Sequence, residues 1–169
     1  LSLPISDPPV GGFIDQRSRA AIEHNLFTAR LRGYEDVIKS SGIDIESIRI
    51  YECKHNSREH GARWTSAMLD LSDPPTAILA TSDLLAFGAM REAERRGLHV
   101  PGDLSIAGFD DVPEAQFSQP PLTTVRQPLR QKGIEAARLL AEGWEGGKPP
   151  HVMLQTELVV RGTTGPVPA

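Results

Sequence analysis

The sequence predicts an α/β fold organised as a doubly wound, mainly parallel sheet, and three observations carry that expectation. The runs Thr76–Ala80 and Leu104–Phe109 are short and apolar without polar alternation, as in strands buried on both faces. Each is followed, within a few residues or after a turn, by a segment of different period. Strand and helix then alternate along most of the chain through short connections, the pattern of parallel strands joined by crossover helices.

The elements follow in order. Residues 5 to 19 carry Pro8, Pro9, Gly11 and Gly12 without periodicity and read as a long loop. From about Ala20 to Ser41 the spacing of Ile22, Leu26, Ala29, Gly33, Val37 and Ile38 is helical, and Gly42 ends it. Ile48–Tyr51 alternates as a short strand. Residues 57–71 return to helical spacing until Asp73-Pro74-Pro75. After the strand at 76–80, Thr81-Ser82-Asp83 supplies capping residues for a helix over Leu84–Arg96 that Gly97 closes. Beyond the strand Leu104–Phe109 come an extended stretch at Leu122–Val125, a helix over Leu129–Trp144 and an alternating strand over Val152–Val160. Gly143, Gly146, Gly147, Pro149 and Pro150 punctuate the link between the last two.

Composition narrows the function. Hydrophobic residues at 39% and charged residues at 24% of 169 suit a soluble globular protein with one domain or two small lobes. No apolar run reaches the roughly 20 residues of a membrane span. The formal net charge of −4 provides no basic field for nucleic acid, so any DNA-binding part is expected outside this chain. One cysteine, Cys53, rules out an internal disulfide and suits a reducing cytoplasm. The opening Leu1-Ser2-Leu3-Pro4 lacks a signal-peptide pattern and reads as the end of a strand whose start is missing.

No glycine-rich dinucleotide fingerprint, phosphate loop or nucleophile elbow occurs, so neither a cofactor nor an enzymatic reaction is expected. Glu52, Cys53, His55 and His60 come nearest to a metal set. The two histidines are five apart and fall on different sides of a helix, so a plain surface segment is the simpler reading and no metal is expected.

In open parallel sheets, ligands sit outside the carboxyl ends of the strands. Two such ends are polar: Ser82-Asp83, and Asp110-Asp111 in the stretch Ile106-Ala107-Gly108-Phe109-Asp110-Asp111. Each admits two readings. Ser82 or Asp83 caps the next helix or faces a ligand; the two acids open a turn before Pro113 or line a pocket.

The segments "PTAILATSD", "GLHVPGDLSIAGFDD", "PPLTTVRQP" and "TELVVRGTT", in that order, resemble the effector-binding core of the lactose-repressor (LacI/GalR) family of bacterial transcription regulators. "TARLRGYEDVI" at residues 28–38 resembles the family's arginine, glycine and aromatic helix. The likeness covers nearly the whole chain and is poor only over residues 5–24. It implies two α/β lobes around a cleft, as in periplasmic sugar-binding proteins of type I. Residues 1–124 would form most of the C-terminal lobe. Residues 125–160 would cross over and give a helix and strand to the N-terminal lobe, and 161–169 would return. The DNA-reading head would lie outside this chain.

By position, the resemblance assigns Arg30 and Asp110 to the effector, with Asp111 left to the turn. Ser82 stands where the family usually has asparagine, and Asn56 where many members have an aromatic. Gln127 falls at a crossing that faces the cleft. The implied function is a cytoplasmic regulator that binds a sugar-like metabolite without chemistry and passes the signal to operator DNA through its missing head. The rival is a periplasmic sugar-binding protein of a transport system. A homodimer is implied through Phe87, Met90 and the 112–118 loop carrying Phe117. Leu84, Leu85, Phe87 and Met90 spread around their helix more widely than one sheet face needs, unless they are ordinary core.

Overall fold

The computed structural model describes residues 1–2, 11–14, 26–143, 146 and 150–168, without the side chains of 26–28. Most of the loop expected at 5–19, the first residues of the helix expected from Ala20, and Trp144, Gly147 and Pro149 lie outside this set.

The described elements are β1 (Gly12–Ile14), α1 (Leu26–Ser40), a 3-10 turn (Ile45–Ser47), β2 (Ile50–Glu52), α2 (Arg58–Leu69), β3 (Ala77–Leu79) and α3 (Asp83–Arg95). Then come β4 (Ser105–Asp110), a 3-10 turn (Pro113–Gln116), β5 (Thr123–Arg126), α4 (Leu129–Glu142) and β6 (Glu157–Val159). One ladder has the order β3-β4-β5-β6, with β3/β4 and β4/β5 parallel and β5/β6 antiparallel. A second ladder pairs β1 and β2 antiparallel. Leu1 and Ser2 fill the space between the two. The Leu1 amine donates to Leu79 O at 2.8 Å and Thr81 N to Leu1 O at 2.9 Å, while Ser2 N donates to Tyr51 O and Cys53 N to Ser2 O. β2, the pair Leu1–Ser2, β3, β4 and β5 thus run in one direction, with antiparallel strands at both edges.

Burial explains the order. Ile106 and Gly108 of β4 face α3, while Phe109 points to the opposite face, where the Arg30 guanidinium of α1 lies over its ring at 3.7 Å. Helices therefore lie on both faces, but the second face is only partly covered: Ala77 and Leu79 of β3, expected to be buried on both sides, are exposed because a cavity separates them from α1. Leu85, Leu104, Ile106 and Leu122 are fully buried, each stabilising the fold by about 1.5–3 kcal/mol. α2 packs directly on α3. A Cβ on Gly88 would overlap the Arg58 carbonyl oxygen, and one on Gly61 the Leu85 carbonyl oxygen, so two glycines let the backbones touch. α3 ends as expected: Gly97 adopts a φ of 73°, with Leu98 N bonded to Ala93 O and Gly97 N to Glu94 O.

Three elements differ from expectation. Gly12–Ile14, inside the stretch expected to be a loop, form β1, because Ile14 buries itself and the strand finds a partner in β2. The strand expected at Val152–Val160 is paired only over Glu157–Val159. β5 gives way to Gln127-Pro128, and a proline has no N–H to continue a ladder, so residues before Glu157 find no partner on that side. The strand expected from Ile48 starts at Ile50, because Ile48 closes the preceding 3-10 turn by donating to Ile45 O. Among the described residues, no helix is long and apolar enough to cross a membrane.

Candidate functional site

Four strand ends converge on one edge of the parallel layer. Asn56 follows β2, Ser82 follows β3, Asp110 ends β4 and Gln127 follows β5. Arg30 reaches the same edge from α1, donating from Nη1 to Thr81 O at 2.8 Å. All five residues expected at the effector therefore share the location where parallel sheets bind ligands.

Their contacts divide them into two groups. Gln127 Nε2 donates to Asp110 Oδ1 at 2.5 Å, and Lys132 Nζ at the start of α4 donates to Gln127 Oε1 at 2.9 Å. Burial pushes the Asp110 carboxyl up, against the Gln127 hydrogen bond and the charges of Arg30 and Lys132, while the neighbouring Asp83 pushes it further up. Burial also lowers the Arg30 pKa, opposed by Asp110 and Tyr34. Arg30 and Asp110 are thus partly desolvated groups of opposite charge, each opposing the shift that burial imposes on the other. The second group is Asn56 and Ser82. Ser82 is buried, and its hydroxyl donates to Asn56 Oδ1 at 2.5 Å while accepting from Leu85 N at 3.3 Å. The hydroxyl caps α3 and holds Asn56, so it lies beneath the exposed Asn56 amide with its own donor already committed.

The two acids after β4 behave differently. Asp110 faces Arg30 and Gln127. Asp111 accepts from Arg126 Nε at 2.6 Å and Arg161 Nη2 at 2.7 Å. Burial raises its pKa, but those arginines outweigh burial and hold the carboxyl below the usual range. The structure thus gives Asp111 more than the turn role expected of it.

The sequence reading missed two participants, Phe109 and Lys132, and gave a third, Asp83, other uses. Phe109 supplies the ring under Arg30. Lys132 steadies Gln127; its position in the first turn after the β5 crossing is the available signal. Asp83 is the most consequential. It is fully buried, and accepts from Thr124 Oγ1 at 2.5 Å and Val112 N at 2.8 Å, in space that exists because Gly108 lacks a Cβ. Ser82 and not Asp83 makes the helix cap.

The expected pairing surface is altered. Phe87 is buried, with Arg58 over its ring at 5.1 Å, and Met90 is half-buried; Phe117 is 74% exposed. Phe87 is core because α2 covers the side of α3 that the sheet does not. A cavity of about 490 Å³ lined by Leu31, Tyr34, Ile38, Ile50, Leu79 and Thr81 touches the Arg30 side of the candidate site at Thr81, whose carbonyl takes the guanidinium, while Asp110 and Gln127 do not border it. Among the described residues no three His, Cys, Asp or Glu side chains converge as a metal would require; Glu52 and Cys53 are buried, and the rings of His55 and His60 meet edge to face at 5.0 Å.

The family model of the periplasmic binding protein-like domain matches residues 20–164. The chain belongs to that family. Within it, the relatives are LacI-type. The HTH-type transcriptional repressor CytR of Escherichia coli is 40% identical over 144 residues, covering 82% of this chain and 41% of that protein. A LacI family transcriptional regulator from Enterococcus faecium, solved with bound ribose, superposes with a TM-score of 0.75 at 28% identity, over 82% of this chain and 52% of that one. The complex of the transcriptional regulator CelR with cellobiose gives 0.73 at 31% identity, over 80% and 42%. This periplasmic-binding-protein-like chain spans about two fifths of the length of the curated relatives it matches.

Proposed function

We propose that the chain is the effector-sensing part of a LacI-type transcriptional regulator, taking a sugar or sugar derivative at the edge formed by Arg30, Asn56, Asp110 and Gln127, with Ser82 supporting Asn56. The observation that carries this is the facing of Arg30 and Asp110 at the carboxyl ends of parallel strands. A carboxylate accepts from adjacent hydroxyls and a guanidinium donates to others or to a ring oxygen, the pairing that a polyhydroxylated ligand needs. The bound sugars of two structural neighbours support the ligand class. The site holds no assembled nucleophile and base, which supports binding without chemistry. The regulator relatives favour this reading over a transport protein, and with it a cytoplasmic location and operator DNA contacted through a head outside this chain.

In this reading residues 1–124 form the C-terminal lobe and 125–160 belong to the other lobe, with 161–169 returning; Val125–Arg126 and Glu157–Val159, which still pair in the ladder of β4, form the two crossings. No residue of α4 is buried, and Leu140, Leu158 and Val160 are exposed, which supports a covering lobe beyond this chain. A homodimer through the 112–118 loop, with Phe117 as its exposed apolar group beside Met90 and Phe87, completes the proposal.

A thermal-shift screen of the full-length protein against pentoses, hexoses and disaccharides tests the ligand class, because a ligand of the folded state raises Tm. One sugar class should stabilise the wild type and fail to stabilise Arg30→Ala. Stabilisation only by ligands without hydroxyl groups would contradict it. A full-length structure with residues 129–156 packed on the same body as β3 and β4 would contradict the lobe assignment.

A further inference from the structure

Asp110 and Asp111 have φ values of 124° and 56°, and among the described residues no other non-glycine has a positive φ. Left-handed backbone is unfavourable for residues with a Cβ and persists where the surroundings over-determine it. Here they do. Asp83 holds Val112 N, Gln127 holds the Asp110 side chain, and two arginines hold Asp111.

The Asp111 grip joins distant parts of the chain. Arg126 is the last residue of β5 and lies 15 positions away; Arg161 follows β6 and lies 50 away. The Asp111 side chain is 8% exposed and that of Arg161 15%. Arg161 also donates through Nη1 to Leu122 O at 2.7 Å and through its backbone N to Thr123 Oγ1 at 2.9 Å, while Arg126 Nη1 reaches Glu157 Oε2 at 3.0 Å. One carboxylate therefore holds the chain where it leaves the body and where it comes back. A turn-forming aspartate bonds its own backbone two residues on; both oxygens of Asp111 go to arginines instead.

Everything between those arginines depends on its ends. α4 buries no residue, and a helix that buries nothing has its direction set by its tethers. At the departing end Gln127 is also held, through Nε2 to Asp110 Oδ1, and the exposed Lys132 binds Gln127 in turn.

We propose that Asp111 is a positioning residue that fixes the direction in which residues 127–160 leave and re-enter the body, by holding Arg126 and Arg161 on one carboxylate. Because Asp110 and Asp111 share a strained turn, a ligand pulling on Asp110 moves the grip as well. That last consequence rests on the effector reading above; the grip itself does not.

Hydrogen–deuterium exchange of the full-length protein tests the grip without any ligand. In Asp111→Asn, peptides spanning 124–128 and 157–162 should exchange about tenfold faster or more, as loss of a charge-assisted hydrogen bond would give, while those spanning 77–79 and 83–95 keep the wild-type rate. Arg126→Gln, at a half-exposed position, should move the same two peptides by a smaller factor and covers the case in which Asp111→Asn does not fold. Acceleration confined to 110–113 would reduce Asp111 to a turn residue. Uniform acceleration across all peptides would reduce it to general stability, and unchanged rates would remove the role; each overturns the proposal. If the lobe assignment were wrong, the two peptides would still respond, so the two failures are distinguishable.

Discussion

Replacing Asp83 by asparagine tests the centre of the fold and the site together. The carboxylate is fully buried and takes two hydrogen bonds, from the Thr124 hydroxyl and Val112 N–H, in a space bounded by the bare Cα of Gly108. Asparagine has the same shape but only one acceptor oxygen, so one donor is left facing an amide N–H. A bond to a buried charge is worth about 1.5–3 kcal/mol and a stranded buried donor costs about 1–3, overlapping losses that together give about 2–4 kcal/mol. That range is a factor of about 30 to 1,000 in the folding equilibrium. Urea unfolding of the full-length protein, followed by tryptophan fluorescence, should show a lower midpoint at unchanged slope. Effector affinity should fall with it, because Val112 anchors the turn that presents Asp110. A loss under about 0.5 kcal/mol, within the range of ordinary surface substitutions, together with unchanged affinity would refute the reasoning.

Gly88→Ala forces a Cβ against the Arg58 carbonyl and within 2.7 Å of Ala62 N, so the helices must separate. The cost of about 1–3 kcal/mol should exceed the roughly 1 kcal/mol gained in helix propensity, because backbone atoms cannot step aside; a raised Tm would contradict this. Hydrogen bonds from Arg95, opposed by burial and helped by Arg96 and Ser66, hold the Glu92 carboxyl at about 2, down from 4.5. A depressed folded-state pKa means stability present above pH 4.5 and lost as pH falls towards 2, so Tm should drop more steeply across that window in the wild type than in Glu92→Gln. Equal acid limbs would contradict it. Phe117→Asp should sediment as a folded monomer, whereas Phe87→Asp should fail to fold, since Phe87 is 7% exposed; a Phe117→Asp dimer of wild-type stability would place the pairing surface elsewhere.

The parallel layer was legible because Thr76–Ala80 and Leu104–Phe109 are short apolar runs without polar alternation, although the first is buried on one face only, with Ile78 and Ala80 inside and Ala77 and Leu79 exposed. The effector role expected of Arg30 rested on resemblance alone, since a lone arginine on a helix has ordinary structural uses, whereas Asp110 at a polar strand end already admitted a turn or a pocket and the resemblance chose between them. Asp83 was misjudged because Thr81-Ser82-Asp83 reads locally as a cap, and its true use depends on an absent side chain at Gly108, 25 residues on. Phe87 was taken for surface because sequence spacing reveals one covered face of α3, and the second comes from α2 through the close approach at Gly61 and Gly88. The 152–156 stretch alternates as a strand should, but a strand also needs a neighbour, and Pro128 denies it one.

The most direct test of the site is calorimetry of the full-length protein with the sugar found by the thermal screen, comparing Arg30→Ala, Asp110→Asn and Asp111→Asn. Losing a charged hydrogen bond of about 1.5–3 kcal/mol should weaken binding by about one to two decades in the first two variants, and by less than one decade in Asp111→Asn. Retained affinity in Asp110→Asn with lost affinity in Asp111→Asn would contradict the assignment of the two acids and the site built on it.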